Sequence, residues 1–259
     1  MASAGVVLGL MPHFLSYLGP TLSESSILML ERPLLSVLLV IGGPAIYPAR
    51  SIETYDPFEA LKPLPWRHPS VRPAWWVQGS VSLLEYLVAV AAAANVVIIC
   101  LDLGFKIIVT WKKLDSYLPL IWVILPLFVH FCAETRLYTA TVRHPILICR
   151  AYAYGPNMGS FCSPAHWFIA ETQLCSARPG RDYPTGREEP FHLCIFSVLI
   201  SLFCVVHQAL VVIIFSSLLF IAVNDAIPIL IRFASSAFAV QGIGAFEIKG
   251  LLAERRRPS

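Results

Sequence analysis

From Phe191 to Val223 the chain runs thirty-three residues without an Asp, Glu, Lys or Arg, and only His192, His207 and Gln208 are strongly polar. A helix crosses a hydrocarbon core of about 30 Å with ~20 apolar residues. A helix apolar all round needs lipid or a very large core to cover it. The pattern therefore predicts an all-α integral membrane protein, and the remaining apolar runs extend that reading. About four transmembrane helices are expected in a bundle, at residues 27–47, 79–103, 116–133 and 191–223. They make up a multi-pass domain over residues 27–223, with a long structured loop over 134–190 before the last span.

The flanking segments read differently. Residues 1–26 are apolar but lack the basic start of a signal peptide and contain Pro12, so an interfacial or loosely ordered leader is expected. Residues 224–259 carry Arg232, Glu247 and Lys249 within an apolar run and end in a basic tail. They are expected to form an interfacial, amphipathic helix, with a fifth span over 227–252 as the weaker alternative.

Punctuation supports the divisions. In the first span, Glu31 and Arg32 interrupt early, Pro33 suits the first position of a helix, and Gly42-Gly43-Pro44 breaks the far end. A span is expected there, with a re-entrant segment as the other option. Trp75 and Trp76 precede the second run as an interfacial belt would, since indole combines an apolar body with one N–H. The middle of that run is almost all alanine. Ala89 and Ala93, four residues apart, predict close helix packing.

Composition agrees. The chain is 57% hydrophobic and 14% charged, with a mean hydropathy of +0.70, against roughly a quarter charged in soluble domains. A net charge of +3 is too small and scattered to argue for nucleic acid. The lipid bilayer is the first expected partner. Other membrane proteins are expected to meet helix faces or the 134–190 loop, whose aromatic residues argue for a packed cap rather than disorder. Lys112, Lys113, Arg232 and Arg255–Arg257 fall on one side of a four-span arrangement, which predicts cytosolic termini. The arginine triplet resembles an endoplasmic-reticulum retention signal and favours an endomembrane over the plasma membrane. Among seven cysteines, Cys162 and Cys175 are the pair that an oxidising compartment would join. No Asn-X-Ser/Thr acceptor occurs.

Ionisable groups within apolar runs are the pointers to function, because each is costly there. Glu85, Asn95 and Asp102 lie in the second run. Asn95 and Asp102 share a helix face, and Asp102 stands four residues from Lys106 as an ion-pair partner would. His130 and Glu134 have the same spacing at the end of the third run, and His207 lies inside the last. Nucleophile-elbow, P-loop, dinucleotide, HExxH and HxxxxD patterns are absent, and no zinc-type spacing occurs, so no catalytic residue, metal or cofactor is assigned. The leading expectation is a non-catalytic scaffold or partner-binding membrane protein. A transporter or channel component using Glu85, Asn95 and Asp102 is the alternative, and an enzyme with a histidine-ligated metal or haem is the third.

Overall fold

In the computed structural model, residues 2–19, 21–45, 74–107, 115–142, 171–175, 191–216 and 223–255 are described. No strand occurs among them. Seven α-helices lie among the described residues: α1 (Ala2–Leu18), α2 (Leu22–Glu31), α3 (Pro33–Gly42), α4 (Trp75–Asp102), α5 (Leu118–Val142), α6 (Phe191–Ser216) and α7 (Val223–Arg255). Three of these include stretches long and apolar enough to cross a membrane: Trp75–Phe105, Ile195–Ser216 and Asn224–Leu251. The 27–47, 116–133 and 224–259 expectations change accordingly.

The expected first span is not one helix. Thr21 opens α2 with a capping box: its side chain accepts from the Glu24 N–H while the Glu24 carboxylate accepts from the Thr21 N–H. The chain then leaves helical geometry at Arg32 (φ −135°, ψ 75°), and Pro33 starts α3. Proline lacks the N–H a continuous helix would use and clashes with the preceding turn, so the break falls there. Each half has ten residues, about 15 Å, half of what a crossing needs.

The expected leader is an ordered helix within the core. Leu8, Met11 and Leu15 recur on one stripe of α1, and Pro12 does not end the helix. They join Val96, Ile99 and Leu103 of α4, Trp122 of α5, Phe215 of α6 and Phe233 of α7 in the main apolar core. The indole of Trp122 meets Phe215 and Phe233 edge-on, with ring centroids 5.1 and 5.7 Å away. The C-terminal segment is likewise no surface helix: Phe233, Ala237, Val240 and Ile243 face the same interior from α7.

Helix α4 begins at Trp75 rather than 79, and α5 continues to Val142, through residues expected to be loop. Past Asp102 a π-helical turn, Leu103–Ile107, extends α4 against the 3₁₀ turn Asp115–Tyr117. A side chain at Gly104 would strike the Ser116 carbonyl, so glycine permits this approach.

On α4 the buried positions Ser82, Glu85, Ala89, Ala92, Ala93, Val96 and Ile99 follow the helical period. Leu83, Leu84, Leu87 and Val90 face outward, as do Val198, Leu199, Leu202 and Ile213 on α6. Soluble monomers rarely expose an apolar surface of this extent.

Candidate functional site

The fold brings four elements to one guanidinium. Arg32, at the α2–α3 break, is fully buried. Its Nη1 lies 2.6 Å from Glu85 Oε2 on α4 and 3.0 Å from Glu247 Oε1 on α7. Its Nη2 donates to Ser82 Oγ at 2.8 Å, and its Nε donates to the Glu171 carbonyl at 3.0 Å. The guanidinium also lies 5.3 Å from the centre of the Tyr86 ring. Arginine suits this place because its planar fork offers five donors in fixed directions.

The local sequence explains each contribution. Ser82, Glu85 and Ala89 fall on the inward stripe of α4. Glu247 lies on α7 one turn beyond Ile243, on the same buried face. Breaking the helix before Pro33 leaves the first N–H groups of α3 without helical partners. Glu171 satisfies one of them, accepting from Leu35 N–H at 3.2 Å through Oε1, which also accepts from Tyr86 O–H at 2.6 Å. Its charge is favoured at the positive end of a helix. Glu247 accepts from Cys175 N–H at 2.9 Å. The Arg32–Glu247 approach is an ion pair without hydrogen-bond alignment, so among the described residues Glu247 Oε1, Glu85 Oε1 and Glu171 Oε2 accept no hydrogen bond.

The other expected residues lie elsewhere. Glu85 belongs to the Arg32 cluster, and Asn95 meets a different part of α7. Asn95 pairs with α7, donating to Ser236 Oγ at 2.8 Å and to the Arg232 carbonyl at 3.0 Å, while its Oδ1 accepts from Arg232 Nε at 2.9 Å. Asp102 is half-buried at the end of α4. Lys106 lies in the π turn and Glu134 in α5, both with side chains outside the described set. Ala89 and Ala93 are buried inside the chain's own bundle, beside Gly42 of α3 and Val240 of α7, not on an outer face. Cys162 lies outside the described residues, and so does its expected bond to Cys175.

Both histidines are buried. His130, expected near a surface, is buried, with Nδ1 2.7 Å from Ser25 Oγ of α2. His207 is fully buried with Nε2 3.3 Å from the Trp122 carbonyl. Among the described residues no group of three or more His, Cys, Asp or Glu is placed to hold a metal.

Arg32, Glu171 and Glu247 are not among the residues that spacing singles out as a site, although two of them carry a signal. Arg32 and Glu247 each stand inside an apolar run, where an ionisable group needs a partner. The partner is on another helix, and spacing within one helix cannot find it. Glu171, in a polar stretch, gave no such sign.

No family model matches the chain, and no curated protein or solved structure matches it.

Proposed function

We propose that this chain is a transport component of a membrane, with the Arg32 cluster as its coupling centre. The observation that carries the reading is a helix broken at Arg32 and surrounded by carboxylates from two helices that are candidate spans. Transport folds use discontinuous helices in this way, setting half-helix ends and unpaired backbone groups around a site near the middle of the bilayer.

Depth supports it. With Trp75 and Trp76 taken as one boundary, Asn95 stands twenty residues on from Trp75, about 30 Å along the axis, near the other boundary. Glu85 falls midway. An Arg–Glu–Glu group at that depth is expensive, and such groups mark ion or proton pathways by default. The wide apolar faces of α4 and α6 then meet lipid.

The test is charge movement. The full chain, reconstituted into liposomes on a solid support, is expected to give a transient current on a pH step. Glu85→Gln/Glu247→Gln is expected to reduce it to the level of protein-free liposomes. No transient in the wild-type protein would remove the transport reading.

One observation favours the scaffold reading instead: Arg32 is 0% and Glu247 1% exposed, so the cluster is closed and holds four elements in register. A silent pH step, with loss of native assembly on Arg32→Met, is what a purely structural lock predicts.

A further inference from the structure

We infer that Glu85 and Glu247 hold one proton between them, making the Arg32 cluster a proton-binding site; this deepens the transport reading by naming its coupling ion. A single guanidinium nitrogen serves both carboxyl groups, at 2.6 and 3.0 Å. Both are buried, at 6% and 1% exposure. Two like charges held this close in a poorly polarisable interior do not ionise together, and one positive charge balances only one of them.

A second observation points to the same proton. Among the described residues Glu85 Oε1 and Glu247 Oε1 are buried acceptors that make no hydrogen bond, although Glu247 Oε1 keeps its ion pair with Arg32. A carboxylate only accepts, whereas a protonated carboxyl also donates one O–H. A proton on either residue adds a donor beside acceptors that make no hydrogen bond.

The surroundings assign the charges. Arg32 faces the pair from the α2–α3 break, and Ser82 and Tyr86 face the cluster from α4. Glu171 Oε1 accepts from Leu35 N–H and Tyr86 O–H. Cys175 N–H faces Glu247. Glu31, ending α2, is buried nearby in sequence, and Lys249 on α7 is exposed.

The experiment is infrared difference spectroscopy of the full chain in liposomes, with and without ¹³C-glutamate labelling. A protonated carboxyl shows a carbonyl stretch that a carboxylate lacks, and the label shifts it. One protonated glutamate is expected at neutral pH in sodium-free buffer, lost in Glu85→Gln and in Glu247→Gln and kept in Glu171→Gln. No protonated glutamate in the wild-type protein would overturn the proposal, and that spectrum decides even where a variant misfolds. A band surviving both substitutions would also overturn it. Loss of the band on adding sodium, with unchanged pH, would assign the site to a metal cation instead. The readouts separate: a band without a pH-step current keeps the proton site and removes transport, and a current without the band does the reverse.

Discussion

Glu85 on α4 and Glu247 on α7 share one nitrogen of Arg32, at 2.6 and 3.0 Å, although 162 residues separate them in the chain. The two helices run antiparallel along this seam, since further along α4 the contact is from Asn95 to Arg232 and Ser236. Arg32 therefore closes the bundle from a segment that belongs to neither helix.

Removing that guanidinium is expected to be costly. Arg32→Met leaves two buried acidic groups without their counter-charge, a change worth about 3–5 kcal/mol. Arg32→Lys is expected to recover only part of the loss, because an ammonium cannot reach Ser82, the Glu171 carbonyl and both carboxyls from one plane. Adding Glu85→Gln and Glu247→Gln to Arg32→Met restores neutrality and is expected to regain most of the stability. Thermal unfolding of the four proteins in one detergent checks the order. Arg32→Met at wild-type stability would show that the cluster holds nothing together.

At Gly42 the α3 backbone comes close to two helices. A Cβ there would sit 2.8 Å from Val240 Cγ2 and 3.2 Å from Ala92 Cβ. Gly42→Ala is expected to destabilise by about 1–3 kcal/mol through overpacking, despite alanine's better helix propensity. Val240→Ala, which removes the closest atom, is expected to rescue part of it. The double-mutant cycle in thermal unfolding gives the coupling, and additive effects would mean the helices are not this close.

The sequence was most legible where one helix face decides the matter. The alanine-rich middle of α4 pointed to close packing, and Ala89 and Ala93 are buried. It was least legible where partners are distant. Nothing in the spacing of Arg32 points to position 85 or 247, because a bundle's register is set by the packing of whole helices. The break before Pro33 was readable as a helix start, but the preceding turn, with its own Thr21–Glu24 cap, read as the edge of a leader. His130 followed the same logic: it stands in the second half of a long helix, and its partner Ser25 comes from α2.

The Ser25–His130 contact is expected to anchor α2 to α5. Ser25→Ala leaves a buried imidazole nitrogen without its partner, a loss of about 1–3 kcal/mol. Ser25→Thr keeps the hydroxyl and is expected to cost less. Hydrogen exchange should register the alanine change first as faster exchange in α2, while α6 stays protected. Equal exposure of both helices would mean that α2 does not unfold as a local unit.

The membrane reading itself has a substitution that reverses sign with the surroundings. Leu87 is 59% exposed, two residues from Glu85, on the outward face of α4. In water, a polar replacement at such a surface position changes stability by about ±0.5 kcal/mol and favours solubility. Facing hydrocarbon near mid-depth, Leu87→Asp is expected to cost about 2.5–3.5 kcal/mol of insertion free energy. Leu87→Phe, also apolar, is expected to be silent in either setting, which separates charge from shape. The measurement is the fraction of the full chain that resists alkaline extraction from membranes after synthesis in their presence. A clear loss for aspartate but not phenylalanine locates this face in lipid. If the two variants are retained equally, Leu87 does not face the hydrocarbon, and the depth argument for Glu85 falls with it.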